Sequence, residues 1–260
     1  MATPLVYLVT GCSRGIGIEF TRQILARGDN VVATCRNPAG AAELQQVLGA
    51  HAARGSSKRA NFGICLPLDI SSEASVASLA ASIGSLGQAP SIDVVIHNAG
   101  ISCPTHPVEH WATATKASLM ACFETNAVGP LLLTQALLPL LRSGAGKKIF
   151  FVSTDMASMV SMDPSGDYPN GTSVSYRASK SALNMAVRCL AGEHGPTTDD
   201  GFAITLCHPG WVNTDMGSAG DRSPPVTPVD SVAGMLAVVD SMGSHSDADF
   251  VDFRGTRWPW

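Results

Sequence analysis

Six short apolar runs, rich in β-branched residues, recur along the chain: Leu5 to Thr10, Asn30 to Cys35, Phe62 to Leu68, Ile92 to His97, Lys148 to Ser153 and Ala203 to Cys207. Runs of this length and make-up read as strands buried on both faces. Between them, apolar positions return every three or four residues over Ile16 to Arg27, Ala39 to Ala53, Glu73 to Leu86, Thr115 to Arg142 and Ser175 to Glu193, and again over Pro228 to Met242. That spacing marks one face of a helix. Strands alternating with helices predict an α/β fold with a mostly parallel sheet wound on both faces.

Two stretches break the rhythm. Met156 to Ser173 is rich in Ser, Pro, Gly and Asp, and Trp211 to Thr227 is proline-bearing and follows Pro209. Ligands in doubly wound sheets bind beyond the carboxyl ends of the strands, so both loops are expected to contact substrate.

Composition narrows this picture. At 260 residues and 45% hydrophobic content, the chain can build one large core and is short for two, so residues 1–260 are read as one domain. A formal charge of -4, from 17 basic and 21 acidic residues, with no basic stripe, argues against a nucleic-acid partner. No apolar run approaches the roughly 20 residues of a membrane-spanning helix, and Met1-Ala-Thr-Pro carries neither a charged lead nor a cleavage site. A soluble, unprocessed chain with no membrane partner is expected. Cys12, Cys35, Cys65, Cys103, Cys122, Cys189 and Cys207 are odd in number and form no Cys-x-x-Cys pair. They favour a reducing, cytoplasmic compartment over a disulfide framework, and no metal site is expected.

Candidate chemistry begins where the first run ends, at Thr10-Gly11-Cys12-Ser13-Arg14-Gly15-Ile16-Gly17. Glycines permit a sharp turn and close backbone approach, and the free N–H groups of the helix that follows favour a pyrophosphate. A structural turn alone would use the same residues, but the strand before it and the helix after it favour a dinucleotide. A second pattern is Tyr176-Arg177-Ala178-Ser179-Lys180. The four-residue separation puts phenol and ammonium on one helix face. A nearby positive charge favours phenolate, moving a free phenol down from about 10, which suits Tyr176 to exchange a proton with a carbonyl oxygen.

The spacing Gly11-x-x-x-Gly15-x-Gly17, with Asn98-Ala99-Gly100 closing the fourth run and Tyr176 and Lys180 beyond the fifth, resembles the short-chain dehydrogenase/reductase family. His208-Pro209-Gly210-Trp211-Val212-Asn213-Thr214-Asp215-Met216-Gly217 and the closing Phe250 to Trp260 resemble its subgroup of C-factor proteins and sniffer-type carbonyl reductases. The resemblance implies a single Rossmann-fold domain of about seven strands in the order 3-2-1-4-5-6-7, commonly a homodimer or homotetramer, acting on a small-molecule carbonyl.

It also implies roles by position. Gly11, Ser13, Arg14, Gly15, Ile16 and Gly17 hold the adenosine end of the cofactor. Asp69, with Ile70, holds the adenine, although an Asp there equally suits a helix cap. Asn98, Ala99 and Gly100 lie under the nicotinamide ribose, which Lys180 also bonds. Pro209, Gly210, Val212 and Thr214 meet the nicotinamide half. His97 stands where the family has Asn and reads as a satisfied structural histidine. The second run ends in Arg36 where an NAD site carries an acid. A guanidinium there, with Arg14 beside it, favours NADPH over NADH through the 2′-phosphate.

Asn126 matches the Asn that opens the family's long helix and anchors a relay water. Where the family has Ser-Ser, this chain has Ser153-Thr154. Alignment on the strand gives Thr154 the substrate hydrogen bond, its extra methyl narrowing the pocket. Ser153 stays the alternative if the loop shifts the register. The expected activity is NADPH-dependent reduction of an aldehyde or ketone, with Asn126, Thr154, Tyr176 and Lys180 as the catalytic set. The alternative is a dinucleotide-binding signalling protein with incidental catalysis.

Overall fold

The computed structural model describes residues 3–54, 62–86, 91–103, 109–162, 171–218 and 223–260. Its strands are β1 (Val6–Val9), β2 (Asn30–Cys35), β3 (Gly63–Pro67), β4 (Val94–His97), β5 (Lys148–Val152), β6 (Ala203–His208) and β7 (Asp247–Asp252). Its α-helices are α1 (Gly15–Ala26), α2 (Ala42–Arg54), α3 (Glu73–Gly84), α4 (Lys116–Phe123), α5 (Gly129–Arg142), α6 (Val174–His194) and α7 (Pro228–Ser241). The strands form one sheet in the order β3-β2-β1-β4-β5-β6-β7, every pair parallel.

Alternate strand residues face opposite sides, and here both sides are core. Tyr7, Val9, Val31 and Ile96 pack toward α1, α2 and α7, with Phe20, Leu44 and Met235. Leu8, Val32 and Val95 pack toward α3, α5 and α6, with Leu79, Leu137 and Val187. Each such side chain removed from water contributes about 1.5–3 kcal/mol. This double burial is why the inner strands appear as continuous apolar runs.

β7 has no such run. It is an edge strand that pairs only with β6, its Asp247 is exposed, and its register shifts at Ile204 and Thr205. Ala248 beside the shift has φ +51°, the mark of a bulge. The helix expected over 115–142 is α4 and α5 joined by a π-helical segment, Glu124–Val128. Of the expected substrate loops, residues 163–170 and 219–222 lie outside the described residues.

The amino-terminal end of the sheet is tied by one side chain. Buried Asp93, just before β4, accepts hydrogen bonds from the N–H of Val6 (2.8 Å), Ala145 (2.7 Å) and Gly146 (3.0 Å). At the other end, β1 leads to β2 on one side while β4 lies on the other, so a crevice opens beyond the carboxyl ends of β1 and β4.

Candidate active site

The glycine turn occupies that crevice. Gly11 has φ +73°, and a Cβ there would lie 2.9 Å from Ala99 Cα; at Gly17 one would lie 2.1 Å from Gly11 O. No side chain fits at either place, so the turn, the first turn of α1 and the end of β4 are in close contact. Thr10 Oγ1 accepts from the N–H of Asn98 (3.0 Å) and Ala99 (2.9 Å), and Asn98 Nδ2 donates to Thr10 O (2.8 Å). Arg14, preceding α1, makes no side-chain capping bond. The first N–H groups of α1 are thus directed at the crevice, an anion-binding arrangement.

A cavity of about 680 Å³ runs along this end of the sheet. Most of the predicted site residues line it. Gly11, Ser13, Arg14, Gly15 and Ile16 come from the turn, and Arg36 from the end of β2. Asp69 and Ile70 follow β3, Asn98, Ala99 and Gly100 follow β4, Tyr176 and Lys180 are on α6, and Pro209 and Thr214 follow β6. Gly17, Asn126, Thr154, Gly210 and Val212 are not on its wall. Gly17 lies behind the turn. Gly210, at φ +81°, turns the chain against Phe253, and buried Val212 bridges to Val226.

The wall also includes residues to which the sequence assigned no role, among them Glu43, Ser71, Ile101, Thr125, Asp215 and Met216. Glu43 pairs with Arg22 at 3.3 Å, and Asp215 pairs with Arg14 at 3.3 Å across the mouth. Their partners are distant in sequence, so spacing could not reveal them. Asp69 is not the cap of α3, which is Ser72; its carboxylate accepts instead from Ser71 N (3.1 Å) and Ser71 Oγ (2.7 Å).

Lys180 is buried, and Nζ donates to Val152 O at 2.8 Å. Burial lowers its pKa from 10.5 to about 8. Gly100 backs directly onto this group: a Cβ there would lie 3.1 Å from Asn126 Oδ1 and 3.6 Å from Lys180 Nζ. Asn126 does not open the long helix but sits in its π-helical segment. Its amide holds both backbone groups of Ile101, donating to the carbonyl and accepting from the N–H, each at 2.8 Å, and donates to Ser179 Oγ at 3.0 Å. Single π turns inside helices concentrate at functional sites.

Both hydroxyls at the end of β5 are committed. Ser153 lines the cavity, and its Oγ donates to Asn184 Oδ1 at 2.6 Å. Thr154 Oγ1 donates to Asp155 Oδ1 (3.0 Å) and accepts from Met156 N (3.2 Å). Asp155 N donates to His208 Nδ1 at 3.1 Å, which ties the end of β5 to the end of β6.

His97 is satisfied on one side only. Thr134 Oγ1 donates its proton to Pro130 O at 2.8 Å, so it accepts from His97 Nε2 at 2.9 Å, while His97 Nδ1 has no partner among the described residues. Burial, then the Lys180 charge, lowers its pKa from 6.5 to about 3. A ring held neutral this way takes no part in acid–base chemistry near pH 7.

Among the described residues there is no cluster of potential metal ligands, and no helix is long and apolar enough to cross a membrane. A family model for short chain dehydrogenase matches residues 5–223. The C-signal protein of Myxococcus xanthus is 40% identical over 172 residues, which is 65% of this chain and 93% of that protein. The NADPH-bound carbonyl reductase from chicken fatty liver superposes with a TM-score of 0.84 at 32% identity, covering 100% of both chains. The carbonyl reductase Sniffer of D. melanogaster gives 0.84 at 27% identity, covering 99% of this chain and 100% of its own.

Proposed function

Because the chain belongs to the short-chain dehydrogenase family of oxidoreductases, we propose that it is a carbonyl reductase that uses NADPH to convert an aldehyde or ketone to an alcohol. The observation carrying this reading is that a buried ammonium, Lys180, and Tyr176 one helical turn away line the same cavity as the glycine turn.

The residues present suit NADPH. Gly11 and Gly17 leave room only for backbone, which lets a pyrophosphate approach the start of α1. At the adenosine end, Arg14 and Arg36 line the wall and provide guanidinium groups for a 2′-phosphate. The nearest acid on α2, Glu43, is engaged by Arg22. When bound, the reduced nicotinamide supplies hydride to the substrate carbon.

Tyr176 then gives its phenolic proton to the carbonyl oxygen as negative charge develops there. Lys180 stabilises the phenolate left behind, and its low pKa leaves a proton available for return. Thr154, beside the cavity wall, donates to the carbonyl oxygen once its hydroxyl turns from Asp155, while the proton of Ser153 Oγ is taken by Asn184. Asn126 keeps Ile101 and Ser179 in register, so the floor of the site stays aligned.

NADPH oxidation followed with a panel of reactive aldehydes and ketones tests this. Wild type should turn over at least one, and Tyr176→Phe should lose that turnover while retaining NADPH binding. The similarity to C-signal favours a second reading, a dinucleotide-binding signalling protein. Equal slowness of wild type and Tyr176→Phe on every carbonyl, with NADPH still bound, would select it. A cytoplasmic homodimer or homotetramer is part of the proposal. Exposed Met120 and Val128 along the α4 to α5 helix support self-association, and the mass in solution decides it.

A further inference from the structure

Glu109 belongs to none of the motifs discussed above, yet it is 2% exposed. Its Oε1 accepts from Ser118 Oγ at 2.6 Å and its Oε2 accepts from Ser175 N at 2.8 Å. Its carbonyl accepts from Ser173 N at 2.6 Å. Ser118 belongs to the capping box of α4, where Thr115 and Ser118 satisfy each other's N–H groups. Ser175 is the second residue of α6, and its Oγ lies 3.2 Å from Ser118 Oγ. One carboxylate therefore joins the starts of two helices.

The start of α6 needs this help. Ser173, the residue before it, has φ +62° and makes no side-chain capping bond. A left-handed serine is uncommon, and a helix start without a cap leaves orphan N–H groups. Glu109 fills the cap from 66 residues away, and a carboxylate suits the positive end of the helix. Burial raises the Glu109 pKa, but the hydrogen bonds from Ser118 and Ser175 outweigh it and leave the carboxyl below its usual range.

We propose that Glu109 is the positioning residue for Tyr176, its carboxylate clamping the first turn of α6 to α4 so that the phenol is held at the substrate carbonyl. This rests on Tyr176 being the proton donor. Lys180 has its own anchor at Val152 O, and the glycine turn is far away in the chain. Losing Glu109 should therefore disturb proton transfer and spare cofactor binding.

Glu109→Ala should lower kcat about 10- to 100-fold, the scale of a misplaced catalytic group, with the Kd for NADPH within about threefold. Hydrogen exchange at Ser175 to Arg177 should quicken, while the second half of α6 stays protected. Glu109→Gln should restore kcat to within about threefold, since the amide still accepts from Ser175 N and the Ser118 hydroxyl can rotate to accept from it. Should the alanine variant not fold, Ser118→Ala, which removes one anchor, should still cost about three- to tenfold in kcat. Equal loss of kcat and NADPH affinity, unchanged exchange at Ser175 to Arg177, or wild-type kcat in Ser118→Ala would overturn the clamp. Loss of activity in Tyr176→Phe alongside full activity in Glu109→Ala would defeat this inference alone; slow turnover in wild type and Tyr176→Phe alike would defeat the reductase reading.

Discussion

The two ends of the parallel sheet are built on opposite rules. At the amino-terminal end, Asp93 accepts three backbone hydrogen bonds and closes β1, β4 and β5 onto one carboxylate. At the carboxyl-terminal end, helix N–H groups, guanidinium groups and a buried ammonium converge on a 680 Å³ cavity. The same strands thus carry a stability device at one end and a reactive one at the other, and substitutions should separate the two.

The largest effect belongs to the open end. Tyr176→Phe should reduce carbonyl turnover by about 10³-fold, within the usual range for a general acid, with the melting temperature nearly unchanged. A fall in Tm matching the lost activity would erase the contrast. Next comes Asp93→Ala, which leaves three N–H groups facing a void. It should cost about 3 kcal/mol in denaturant unfolding, while kcat per folded molecule stays at the wild-type value.

Smaller changes sharpen the open end. Arg36→Asp should weaken NADPH by about 30-fold, near 2 kcal/mol for a charge-assisted contact, and leave NADH nearly unaffected; titration by cofactor fluorescence reads the difference. Smallest is a pH effect. With Lys180 at about 8 against an ordinary 10.5, the ammonium is present below pH 8 and is lost as pH rises. Activity should fall about tenfold for each unit above pH 8. Its stability contribution runs the other way. The unfolded chain holds the extra proton between pH 8 and 10.5, so stability rises across that window. Lys180→Arg should abolish the alkaline fall, and a limb unmoved in that variant would assign it to another group.

The sequence made the buried parts of the sheet plain, because strands covered on both faces have to be apolar throughout. β7 shows no apolar run, and only the family resemblance supplies a seventh strand: an edge strand in which three of six residues are Asp carries half the signal. The turn from Gly11 to Gly17 was legible, since only glycine meets its close contacts. Helical period predicted one helix over 115–142, and the π segment hidden in it costs the pattern a single residue. Asp93, Glu43 and Glu109 carry no signal in the sequence. Each acts on groups that only folding brings near, and an isolated acid in a sequence looks like any solvated one.

That π segment has a genetic consequence. Each residue of an α-helix turns the chain by about 100°, but the wider turn over Glu124–Val128 absorbs its extra residue, so α5 keeps its face to the sheet. Losing one codon there would let an unbroken α-helix form with Gly129 to Arg142 still facing the core, at the expense of the local backbone that presents Asn126 to Ile101 and Ser179. A one-residue deletion between Phe123 and Gly129 should therefore leave the protein folded and remove the Asn126 contacts at the site, whereas a one-residue deletion inside α5 turns its apolar face by about 100°.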